Sequence, residues 1–156
     1  MVARLLSSAA VVPERIEREV LIDAPPETVW AVITQAEHIA GWFSHAAEID
    51  LRPGGKVTLT WDGHGTSHGR VEVVEPPHSF AFRWMRAGEL GEFREDNSTL
   101  VEFSLHAEGD GTRLRVVESG FPGLDASDDD KTRYAEENRE GWKLELSQLV
   151  DYLRSL

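Results

Sequence analysis

SDDDKTRYAEENREGWKLELSQLVDYLRSL, residues 127–156, contains no proline and opens with a serine followed by three aspartates. Serine is a strong helix N-cap, and carboxylates in the first turn face the positive end of the helix dipole. At 100° per residue, Ala135, Trp142, Leu146, Leu149, Leu153 and Leu156 fall on one narrow stripe. The stretch therefore predicts one amphipathic helix of about 27 residues, roughly 40 Å long by its rise per residue. A flat small sheet cannot cover such a helix, so the fold must supply a curved one.

The residues before it supply the strands. IEREVLID (16–23) alternates and is stopped by AlaProPro; PETVWAVIT and AEHIAGWF then read as two short helices, the first with Pro26 in its first turn. Strand-like runs follow at 55–61, 67–75, 79–85, 99–107 and 112–120. They are separated by ArgProGlyGly, AspGlyHisGly, ProProHis and GluGlyAspGly, the punctuation of an antiparallel meander. The expected fold is α+β: a curved antiparallel sheet of six to seven strands around the long C-terminal helix, with two short helices after strand one. One domain is expected over 15–156. Residues 1–14 read as a disordered or loosely packed lead-in rather than a secretory signal, because two serines break the apolar stretch and Arg4 is the single basic residue.

Composition excludes several function classes. A net charge of −12 repels phosphate backbones, so no nucleic-acid partner is expected, and no apolar run reaches the ~20 residues of a membrane span. The chain has no cysteine, which removes thiolate chemistry and suits a cytoplasmic location. No cofactor fingerprint, GxSxG elbow or HExxH occurs, and neither a cofactor nor a metal is expected. Asp62, His64 and His68 lie close together, but GlyThrSer between the histidines belongs to a turn. They read as a solvated hairpin tip.

Strand parity places candidate residues on the concave face: Val57, Leu59 and Trp61; Val71 and Val73; Phe80, Phe82 and Trp84; Val101, Phe103 and Leu105; Leu114, Val116 and Glu118. The helix stripe is dry at its C-terminal end but small and polar further up, at Ala135, Asn138 and Gly141. That combination leaves room for a mostly apolar pocket, the usual form of a small-molecule site. The expected ligand-binding residues are Trp42, Phe43, Trp61, Val73, Phe82, Trp84, Phe103, Glu118, Asn138 and Trp142, with Trp42 and Phe43 at the mouth or as a lid. Glu118 has three readings: a general base, a ligand hydrogen-bond acceptor, or half of a structural pair with Arg18.

IEREVLIDAPPETVWAVIT, HIAGWF, DLRPGGKVTLTW with GRVEVVEPPHSFAFRW, and EGWKLELSQLVDYL, in this order, resemble the activator of Hsp90 ATPase homologue 1-like family. This is a branch of the SRPBCC, START-like and Bet v 1-like proteins with their helix-grip fold. The resemblance spans about residues 15–156 and implies a cavity between sheet and helix that holds apolar molecules. It makes a small apolar or aromatic molecule the expected partner, and cyclase- or hydrolase-type catalysis, using Glu118 and cavity water, the alternative. The eukaryotic activator binds a chaperone and relies on an additional N-terminal domain not found among these residues. A co-chaperone-like interaction role is the third reading, and an exposed sheet edge or the helix surface would serve a homodimer.

Overall fold

A computed structural model describes residues 11–156. Most of the expected lead-in, residues 1–10, lies outside the described residues. The elements in chain order are β1 (Arg15–Ile22), α1 (Pro26–Thr34), α2 (Ala36–Trp42), β2 (Ala46–Ile49), β3 (Lys56–Trp61), β4 (Gly65–Glu75), β5 (Ser79–Met85), β6 (Ser98–Glu108), β7 (Gly111–Ser119) and α3 (Asp128–Arg154). The seven strands of the described residues join one antiparallel sheet in the order β1-β7-β6-β5-β4-β3-β2. This is the α+β helix-grip fold. The short strand β2 had no alternation long enough to be read from sequence. No helix of the described residues is long and apolar enough to cross a membrane.

α3 starts where its capping chemistry places it. Ser127 Oγ accepts from the Asp130 N–H at 3.2 Å, a contact typically worth about 1 kcal/mol. Ala135, Trp142, Leu146 and Leu149 are buried against the sheet, and each large apolar side chain among them contributes roughly 1.5–3 kcal/mol. The stripe ends sooner than its periodicity implied: Leu153 is half-buried, and Leu156 lies past the helix end and is 65% exposed.

β4 carries two irregularities of the kind that bend a sheet. Gly69 faces inward opposite Trp84, where a Cβ would stand 2.0 Å from the Arg83 carbonyl oxygen, so only glycine lets the two strands approach there. Two residues on, a bulge between Val71 and Val73 shifts the register: Val71 pairs with Phe82, Val73 with Ala81 and Val74 with Phe80. The extra residue reverses parity. Val74 joins the core in place of Val73, which turns to the convex face beside Glu75, Ala81 and Glu102. The expectation that Val73 lines the ligand site is corrected accordingly.

Candidate functional site

Four of the five tryptophans meet around Phe43. Its ring lies nearly parallel to Trp84 (5.7 Å, 17°) and to Trp142 (5.5 Å, 12°), whose own centroids are 5.9 Å apart. Trp61 meets it edge-on at 5.4 Å and Trp42 tilted at 5.0 Å. Phe82 and Phe103 close the floor, each edge-on to a neighbouring indole, Trp84 and Trp142 respectively. β3, β5 and β6 deliver these rings by parity, α3 delivers Trp142, and the turn after α2 delivers Phe43. Sequence reasoning put Trp42 and Phe43 at a mouth. Trp42 is instead buried, its Nε1 donating to the Val32 carbonyl at 3.0 Å, and Phe43 fills the centre of the cluster.

Glu118 is fully buried below this cluster. Its Oε1 accepts from Trp142 Nε1 at 2.8 Å and from Asn138 Nδ2 at 3.1 Å. Its Oε2 accepts from Thr99 Oγ1 at 2.6 Å, Trp84 Nε1 at 3.0 Å and Asn138 Nδ2 at 3.0 Å. Desolvation pushes the carboxyl above its usual range, and the four donors partly offset that rise. The structural pair with Arg18 does not form. Ile16 stands opposite Glu118, while Arg18 lies two residues along β1 and turns to α3, reaching the Arg139 carbonyl oxygen at 3.3 Å and Glu140 at 3.2 Å.

An open groove of about 420 Å³ runs beside the cluster, lined by Trp61, Trp84 and Tyr134 together with His64, Ser67, Arg86, Glu137 and Asn138. Arg86 stacks on Tyr134 at 5.0 Å and pairs with Glu137 at 2.9 Å. On the other side of Phe43, beneath α1 and α2, lies a wholly apolar cavity of about 20 Å³. That is about the room of one water, but it offers no hydrogen-bond partner.

The structure thus gathers Trp42, Phe43, Trp61, Phe82, Trp84, Phe103, Glu118, Asn138 and Trp142, and leaves out Val73. Thr99 and Tyr134 were missed. Thr99 shares the inward parity of Val101 and Phe103, a signal the sequence contained. Tyr134 lies one turn before Asn138; burial, with the nearby Glu118 carboxylate, pushes its hydroxyl above the usual range. Of the hairpin residues, His68 shares the outward face of β4 with Arg70 and Glu72. His64 lies in the turn as expected yet borders the groove. The contact of Asp62 is with His45, whose Nδ1 accepts from the Asp62 N–H at 2.7 Å.

The protein MLL2253 of Mesorhizobium loti has a similar structure, with a TM-score of 0.76 and 24% identity over 90% of this chain and 97% of that one. CalU16 of Micromonospora echinospora matches with a TM-score of 0.67 and 27% identity over 88% of this chain and 74% of that one. The Aha1 dimer of Colwellia psychrerythraea matches with a TM-score of 0.69 and 20% identity over 88% and 93%. No curated protein matches the chain. The family model described as activator of Hsp90 ATPase homolog 1-like protein matches residues 23–154, from just after β1 to the end of α3. With six of the seven strands, both short helices and the gripping helix inside that match, the chain belongs to this family.

Proposed function

We propose that the protein binds a small, largely apolar or aromatic molecule at the groove between the open end of the sheet and the N-terminal half of α3. The observation that carries this reading is the groove itself. Its volume falls within the range of ligand pockets, and its aromatic walls are rimmed by a few polar side chains. Trp61, Trp84 and Tyr134 supply contact area; His64, Arg86 and Asn138 supply donors and acceptors to orient a polar end. Glu118 serves as the residue that fixes Trp84, Trp142 and Asn138, because every contact it makes is already taken by an internal donor. That occupancy disfavours the acid/base reading, which needs a lone pair facing substrate.

Native mass spectrometry of freshly purified protein, followed by solvent extraction, tests the proposal. A bound organic molecule is expected, and Trp61→Ala is expected to lose it while remaining folded. Absence of any bound molecule, together with no binding of aromatic probes, would overturn the reading. Self-association is a separate proposal, supported by similarity to a relative solved as a dimer and by the edges that β1 and β2 leave unpaired among the described residues; light scattering at several concentrations decides it.

A further inference from the structure

Phe43 separates two spaces. It lines the inner apolar cavity together with Trp42, and its ring packs on Trp61 and Trp84, which wall the outer groove. The surrounding indoles are held independently of that ring. Trp42 donates to the Val32 carbonyl, Trp84 and Trp142 to Glu118, and Trp61 to the backbone carbonyl of Phe43 at 2.9 Å. A cage fixed by its own hydrogen bonds keeps its shape when its occupant leaves, which is the condition for preorganised binding. Phe43 itself belongs to no regular element. It follows the last residue of α2, precedes β2 by a short turn and is partly exposed. Rotation about its side-chain bonds would carry the ring away while its backbone carbonyl, which holds Trp61, stays in place.

We propose that Phe43 is a resident plug: a planar aromatic ring of the ligand replaces its side chain among Trp42, Trp61, Trp84 and Trp142, and joins the inner cavity to the groove. This rests on the ligand-binding reading above and narrows it to a chemical class. The ring now held there defines that class, because two indole faces lie within 17° of parallel to it at offset-stacking distances, an arrangement that a flat ring satisfies and an alkyl chain does not. The polar end of such a ligand faces His64, Arg86 and Asn138, since the Glu118 oxygens are already occupied.

Calorimetric titration of the wild type and Phe43→Ala with 2-naphthol and with decanoate tests the plug. Removing the competing ring is expected to tighten naphthol binding by about tenfold or more, the equivalent of 1.4 kcal/mol, with a smaller gain for decanoate. Equal or weaker naphthol binding by the variant overturns the plug, and an equal gain for decanoate overturns the planar-ring class. In an otherwise wild-type chain carrying 4-fluorophenylalanine at position 43, the fluorine resonance is expected to move to that of a solvent-exposed ring on saturation with naphthol. An unmoved resonance at saturation overturns the plug, and this measurement decides the matter if Phe43→Ala does not fold. If neither protein binds either compound, the ligand-binding reading itself falls; if both proteins bind both compounds equally, that reading stands and the plug is removed.

Discussion

Trp142 Nε1 donates to Glu118 Oε1 at 2.8 Å, joining the middle of the long helix to the last strand through a buried carboxylate whose hydrogen-bond partners among the described residues are all neutral. Neutral donors from two strands, β5 and β6, and from the helix converge on this one side chain. Substituting either end of such a contact leaves buried polar atoms unpaired.

Glu118→Gln is the sharpest test. Whichever way the amide is turned, its NH₂ faces an indole or Asn138 donor, so at least one buried donor loses its acceptor. We expect a loss of about 1–3 kcal/mol, with Tm falling by roughly 2–4 °C for each kcal/mol in a domain of this size. Thermal melts followed by near-ultraviolet circular dichroism, which also reports on the tryptophan cluster, measure both effects. An unchanged melt would refute the account of the network.

Glu145 makes stability depend on pH. Its Oε2 is buried without a partner among the described residues, and burial raises its carboxyl from the usual value to about 7. The folded state therefore holds a proton that the unfolded state has already released, and stability falls as pH rises from about 4.5 to about 7. Glu145→Gln removes this dependence. The variant is expected to gain stability over the wild type at pH 7.5 and to gain less at pH 5, as read from urea melts at the two values.

Gly69→Ala tests the close approach of β4 and β5. The added Cβ would stand 2.0 Å from a backbone oxygen of β5, where no side-chain motion can relieve it. A loss of about 3 kcal/mol or more is expected, measured by chemical denaturation of whatever folded protein the variant yields. Tolerance of alanine would show that the strands are not held at this spacing.

Along α3, two leucines should respond oppositely. Leu149 is 0% exposed and Leu144 is 58% exposed. Leu149→Ala is expected to cost about 2–5 kcal/mol and Leu144→Ala no more than about 0.5 kcal/mol. Equal effects would mean that the helix presents a different face.

What local pattern encodes was legible in the sequence. The Ser127 cap and leucine spacing specify the long helix. Alternation broken by glycine and proline specifies the strands, apart from β2, whose four residues are too few to show a period. A helix longer than any strand calls for a gripping sheet. The inward parity of Trp61, Trp84, Phe103 and Glu118 followed from the same alternation, and most of the candidate site came with it.

Only the tertiary structure decided the rest, because it depends on register and distance between remote segments. One inserted residue in β4 turned Val73 outward and Val74 inward, and no periodicity announces a bulge. Glu118 met Thr99, Trp84, Asn138 and Trp142 rather than Arg18, because register puts Ile16 opposite it on β1 while long side chains from β5 and α3 reach it. Phe43, read as part of a lid, occupies the centre of four indoles because the turn after α2 carries it there. The sequence by itself therefore determined which residues face inward, apart from those past the β4 bulge; the tertiary fold determined which of them touch, and so where the groove lies.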